Sequence, residues 1–407
     1  MTENIKTKKF ANGFELIVAE KPHFAKKFAG IIVDYGSSDL TSETRAVAGV
    51  AHFLEHKLFA KKEGDISEKF EANGANVNAF TSYNETMYYT VFVDDVVSNL
   101  TLLFKLISDP FFTTENVNKE REIIEQELKM YQDEPYWRLN QELMTAMYGA
   151  SPLSLDIAGT ETSLANITPE SLLNIYKTNY FAANMKLVVA GDVDFTEIAS
   201  AVTPLVEELV IGEKNPVNVF DDAQPNKTAL TITGKTAHGR LIIGLKLPDF
   251  KKFGQSNDLV QSLIEIMLEA KLGELSTTYQ ALQNEELLQQ DPYMSVTYTR
   301  QGNYAKIMAQ TDEVAAVTER MVAALRDDQF SQAIFDLQKK ELIAKSFRTI
   351  DSIDNMAIEL AESRLEDEDY FTNLAELQQI DYDEYVAIVR KVLAKTTIVV
   401  AQLAPEK

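Results

Sequence analysis

The 407-residue chain carries four histidines, His23, His52, His56 and His238, and two of them close the pentapeptide His52-Phe53-Leu54-Glu55-His56. On a helix, positions i and i+4 lie about 40° apart, so both imidazoles project from one face. Glu55, one position before His56, stays beside them. Two nitrogen ligands with a carboxylate at their side suit a metal-assisted hydrolase, in which the imidazoles hold the ion and the glutamate moves a proton. The H-x-x-E-H spacing is specific for that chemistry. A lone histidine is usually a packed core or surface residue. Here the apolar stripe Val47, Ala51, Leu54 and Leu58 recurs at helical spacing and points away from both rings, so packing does not account for the pair.

Two imidazoles leave a catalytic zinc short of three protein ligands, and a carboxylate is needed. The segment 118–127 offers Glu120, Glu122, Glu125 and Glu127. In a helix Glu120, Ile124, Glu127 and Tyr131 share one face, while Glu122 and Glu125 lie on the other beside Arg121 and Lys129. Carboxylates on a half-apolar, inward face need a partner, because burying one unpaired is costly. A metal or a ligand histidine would supply it. Glu122 and Glu125 read as a solvated acidic face.

The elements that must position these residues follow from period and punctuation. Strands are expected at 15–19, 29–33, 76–82 and 185–190, and helices at 46–60, 97–108, 114–133 and 136–147. Residues 211–228 contain Gly212, Asn215, Pro216, Pro225 and Asn226 and read as a linker. A second half repeats the order, with strands at 229–233 and 240–247, helices over 255–285, strands near 293–311 and long helices from 313 on. Length and this recurrence predict a duplicated α+β unit, with domains 1–210 and 229–407 around the linker. The formal charge of -23 argues against nucleic acid and anionic membranes as partners. The absence of cysteine excludes disulfides, thiolate zinc sites and iron–sulfur clusters. With no apolar leader at the N-terminus and no run of membrane-spanning length, the expectation is a cytoplasmic protein.

The chain resembles the pitrilysin/insulinase (inverzincin) family of zinc metallopeptidases. The likeness rests on the pentapeptide, on Gly49-Val50-Ala51 before it, and on Asn78-Ala79-Phe80-Thr81-Ser82 with Thr86 and Tyr88 after it. It continues through Glu120-Arg121 ahead of Glu127, Gly159, Asn184-Met185 and Gly191-Asp192. The length matches the short members, such as the subunits of mitochondrial processing peptidase and of bacterial two-chain peptidases. The resemblance implies two homologous half-domains, each a mixed or antiparallel sheet with packed helices, that form a clam shell. It implies one zinc per chain on His52, His56 and Glu127, Glu55 as general base, and Glu120 orienting a ligand histidine. It also implies that strand 76–82 is an exposed edge, where Asn78, Ala79, Phe80 and Thr81 pair with an extended peptide.

One departure bears on partners. Active members of the family use an Arg and a Tyr, seven apart, to hold the substrate carbonyl, and here those positions are Gln283 and Gln290. Arg300 and Tyr304 lie nearby at the wrong spacing. The expectation is therefore a zinc metalloendopeptidase subunit for short or unfolded peptides. It would pair with a related metal-free chain that supplies the Arg/Tyr clamp, or form a homodimer. A silent scaffold that keeps a vestigial site is the alternative.

Overall fold

A computed structural model of the chain describes residues 4–213 and 220–406. In chain order the first elements are β1 (Ile5–Lys9), β2 (Glu15–Glu20), β3 (Lys27–Val33), α1 (Val50–Phe59), β4 (Ala60–Lys61), β5 (Gly64–Asp65), α2 (Ser67–Ala72), β6 (Asn76–Thr81) and β7 (Thr86–Phe92). There follow α3 (Val96–Ser108), α4 (Thr114–Gln132), α5 (Pro135–Tyr148), α6 (Glu161–Ala165), α7 (Pro169–Asn179), β8 (Met185–Gly191) and α8 (Phe195–Glu207). The later chain gives β9 (Ala229–Gly234), β10 (Arg240–Leu247), α9 (Asn257–Leu272), α10 (Thr277–Asn284), β11 (Tyr293–Thr297) and β12 (Asn303–Gln310). It ends with α11 (Val314–Arg326), α12 (Gln332–Asp351), α13 (Ile353–Leu365), α14 (Tyr370–Gln379), α15 (Tyr382–Leu393) and β13 (Thr397–Pro405).

The duplication inferred from element order is present in the hydrogen-bonding order of two sheets. The first runs β1-β2-β8-β3-β7-β6 and the second β11-β12-β10-β13-β9. Read from the parallel pair outward, β2-β8-β3-β7-β6 corresponds strand for strand to β9-β13-β10-β12-β11. In both, the first two strands of that order pair in parallel and every other pairing is antiparallel. A strand added at the β2 edge, β1, belongs to the first sheet alone. The fold is α+β, two half-domains of mixed sheet with packed helices.

The two compact units interleave along the chain, which contiguous domains of 1–210 and 229–407 do not anticipate. The first comprises the described residues of Met1–Leu128, Asp156–Val217 and Phe347–Phe371, and the second those of Lys129–Leu155, Asn218–Ser346 and Thr372–Lys407. Helix α13 therefore belongs to the first unit. It covers one face of the first sheet, where Ile353, Met356, Ala357 and Leu360 bury against Ile17, Phe28, Ile32 and Val188. In the second unit α5 lies along β13, β10 and β9. Of the proposed linker, residues 214–219 lie outside the described residues. The segment 220–228 carries no regular element but is tied down, Asp221 N donating to Gln301 O at 2.7 Å and Asn226 N to Ala146 O at 2.9 Å.

Candidate active site

Helix α1 starts later than the apolar stripe suggested. Val47 falls in a 3-10 turn, Arg45–Val47, and the α-helix begins after Gly49, whose φ is 89°. A Cβ on Gly49 would lie 2.4 Å from Ala158 O, and one on Gly159 (φ 81°) would lie 2.3 Å from Ala48 O. The two backbones meet at glycines because nothing larger fits and because both conformations are left-handed. That contact fixes where the helix enters. Val50, Ala51, Phe53, Leu54 and Leu58 are all buried, so α1 is wrapped by the core on most of its circumference. His52 and His56 stay half-buried on the remaining face.

The rings of His52 and His56 are 4.6 Å apart. On α4, Val117, Ile124 and Leu128 are buried, which rolls Glu120 and Glu127 inward as their spacing predicts. Glu127 Oε2 lies 4.0 Å from Nε2 of His52 and 4.0 Å from Nε2 of His56. The donor atoms of the three residues all fall within 4.8 Å of one another. Two ligand atoms each about 2.0–2.1 Å from one zinc can be no more than roughly 4 Å apart, so the set fits the ion after a small inward movement. Glu122 is exposed and Glu125 half-exposed, away from this group. Tyr131 is 39% exposed and lies beyond Leu128, where the first unit ends.

Glu120 reaches the far nitrogen of the second histidine: its Oε1 is 3.1 Å from His56 Nδ1. An ionised carboxylate only accepts, so Nδ1 carries the proton and Nε2 keeps its lone pair for a metal. Burial works against charge on His56, but the Glu120 hydrogen bond and the neighbouring carboxylates outweigh it and raise its pKa. Burial and the His56 neighbour hold His52 down at about 4, so it stays a neutral ligand at any ordinary pH. Burial raises the carboxyl of Glu55, opposed by a 2.7 Å hydrogen bond from Thr81 Oγ1. Arg121, on the other side of α4, donates from Nε to Leu164 O at 3.0 Å and from its second amino group to Ile167 O at 2.7 Å. Those bonds pin the helix that carries Glu120 and Glu127.

Strand β6 is an edge of the first sheet. Ser82 N donates to Glu85 O at 2.8 Å where the β6–β7 hairpin closes. Antiparallel pairs alternate from there, so Phe80 and Asn78 bond to β7 while Thr81, Ala79 and Val77 direct their backbone N–H and C=O outward. Consistent with this, Ala79 N donates to its neighbour's Asn78 Oδ1 at 2.8 Å and not to β7. Phe80 packs against the core under α13, so its ring is turned from the histidines, whereas Thr81 reaches Glu55. Sequence reasoning grouped Thr81 with the docking strand and missed its bond to Glu55. It also passed over Lys57, a buried lysine directly after His56.

Comparison with known proteins gives the family. A profile described as "Insulinase (Peptidase family M16)" matches residues 16–161, and one described as "Peptidase M16 inactive domain" matches residues 166–342. The chain belongs to the insulinase (M16) peptidase family. A zinc protease of Bacillus subtilis (strain 168), YmfH, is 28% identical over 424 residues, covering 100% of this chain and 98% of that protein. A mitochondrial-processing peptidase beta subunit of Arabidopsis thaliana is 30% identical over 201 residues, 48% of this chain and 37% of that protein. Among solved structures, an M16-like peptidase from Alicyclobacillus acidocaldarius superposes with a TM-score of 0.90 at 26% identity, covering 99% of this chain and 98% of that one.

In the second unit Gln283 Nε2 donates to Tyr279 Oη at 3.0 Å and to Asp291 Oδ1 at 3.2 Å, and Gln290 is exposed. Tyr304 is 3% exposed on β12, edge-on to Tyr148, so it cannot serve as a shifted substrate clamp.

Proposed function

We propose that this chain is the catalytic subunit of a zinc metalloendopeptidase. The observation that carries the reading is the convergence of His52, His56 and Glu127 beside a carboxylate, Glu55, that is itself held by Thr81. Among the described residues this is the one group of three or more His, Asp or Glu side chains able to hold a metal ion. His52, His56 and Glu127 would be its protein ligands. A bound zinc supplies Lewis acidity towards the peptide carbonyl and acidifies water towards neutrality.

The chain's own groups supply the rest. Glu55 takes the proton of the attacking water and returns it to the leaving amine. The outward N–H and C=O groups of Val77, Ala79 and Thr81 offer an extended peptide a backbone ladder, which sets direction with little demand on side chains. Glu120 keeps His56 in one tautomer. The side-chain amides at Gln283 and Gln290 lack the charge and phenol that would steady a developing oxyanion. A related metal-free chain with an Arg/Tyr pair completes the site in this reading. The likeness to a relative named as a subunit supports such pairing.

Zinc analysis of the purified chain, with cleavage of a quenched peptide pool alone and with a candidate partner, tests the proposal. Bound zinc, slow cleavage alone and a rate raised by orders of magnitude in the pair are expected. A zinc-bound chain with no cleavage under either condition would favour the scaffold reading.

A further inference from the structure

Position 57 follows the second histidine directly, and in α1 it faces the interior: the Lys57 side chain is 2% exposed. An apolar side chain would fill that space at lower cost, because burying an ammonium is unfavourable unless another charge answers it. Its Nζ lies 3.4 Å from Glu120 Oε2, while Glu120 Oε1 lies 3.1 Å from His56 Nδ1. One carboxylate therefore stands between the lysine and the imidazole. Burial disfavours the charged lysine most and Glu120 is the chief group that opposes it, with Asp65 and Lys119 acting less and with opposite signs.

We propose that Lys57 is the counter-charge of the metal centre, a positioning residue that holds Glu120 against His56 and leaves the zinc-loaded site neutral. The inference rests on the metal-site reading above. With both histidines neutral, Glu55, Glu120 and Glu127 bring three negative charges and zinc brings two positive ones. One negative charge remains, and Lys57 cancels it. In the zinc-free protein the same lysine offsets three carboxylates crowded at the junction of α1, α4 and β6. Removing it should therefore destabilise the zinc-free protein, while tighter zinc binding offsets that loss in the loaded one.

The test is Lys57→Met, which keeps the length of the stem and removes the charge. Zinc affinity, measured by competition with a chromophoric chelator, should tighten by about tenfold, since a repelling cation has been removed from a partly buried site. The zinc-free variant should melt several degrees below wild type, and the zinc-loaded one close to it. Turnover should fall with KM unchanged. The double variant Lys57→Met with Glu120→Gln, which removes both charges, should recover the zinc-free melting temperature and lose the tightened affinity. Weaker zinc binding by Lys57→Met, or an equal drop in melting temperature with and without zinc, would overturn the proposal. So would a double variant that fails to fold, because the buried lysine would then serve packing alone. Should Lys57→Met fail to fold while the double variant folds, the counter-charge role stands. A wild-type chain that binds no zinc defeats the metal-site reading itself, which is a separate outcome.

Discussion

Glu127 and Glu122 lie on one helix, yet only Glu127 comes within 4.0 Å of both imidazole Nε2 atoms. Glu127→Gln should lower zinc affinity by at least about 100-fold, and Glu122→Gln should leave it within about twofold. Equal losses in chelator competition would mean that the face assignment of α4 is wrong. Acid should act on the site through His56. Its pKa is raised above the ordinary value of 6.5, so protons compete for Nε2 at a higher pH than they would for an ordinary imidazole. Zinc affinity is expected to fall with a slope of one proton per ion until the pH nears 4, where His52 joins. Glu120→Gln should move the onset to lower pH, because the carboxylate that favours the imidazolium is gone. An affinity flat from pH 7.5 to 5.5 would contradict this. The histidine pair and the inward glutamates were legible from spacing because helical geometry maps sequence offset onto angle. The bond of Thr81 to Glu55 and the place of Lys57 beside Glu120 were not. Each acts across elements that are distant in sequence, and no local period records such a meeting.

The β6 edge carries its own test at the level of the element. Ala79 directs its N–H outward, so Ala79→Pro removes a docking donor without breaking the β6–β7 ladder, and proline is tolerated on edge strands. Zinc content should be unchanged while KM for an extended peptide rises by about tenfold or more. Unaltered peptide kinetics would place substrate elsewhere. Strands with clear β-branched or alternating runs, such as β2, β3, β8 and β10, were legible from sequence. So were α3, α4 and α5. The strands β1, β7 and β13 were not legible, the last because it follows a run of helices and pairs only with the distant strands β10 and β9. The placement of α13 on the first sheet and α5 on the second was also beyond reach. An amphipathic pattern states that a helix buries a face, but not which sheet receives it.

For the whole molecule, the two sheets share one strand order, while among the described residues the metal-capable group lies in the first unit only. Among the described residues the duplication has kept the scaffold twice and the metal-capable group once, and the profile described as "Peptidase M16 inactive domain" matches residues 166–342. The formal charge of -23 fits a protein that handles neutral or cationic polypeptides. Everything proposed about function depends on catalysis by Glu55 at a metal held by its neighbours. The direct measurement is zinc stoichiometry and peptide hydrolysis of Glu55→Gln beside the wild type, with any partner chain supplied equally to both. The variant keeps every ligand and loses only the base, so zinc should remain bound. Hydrolysis should fall by about a thousandfold or more, because the general base and its proton path are both removed. A variant that binds zinc and cleaves peptides at the wild-type rate would contradict the account.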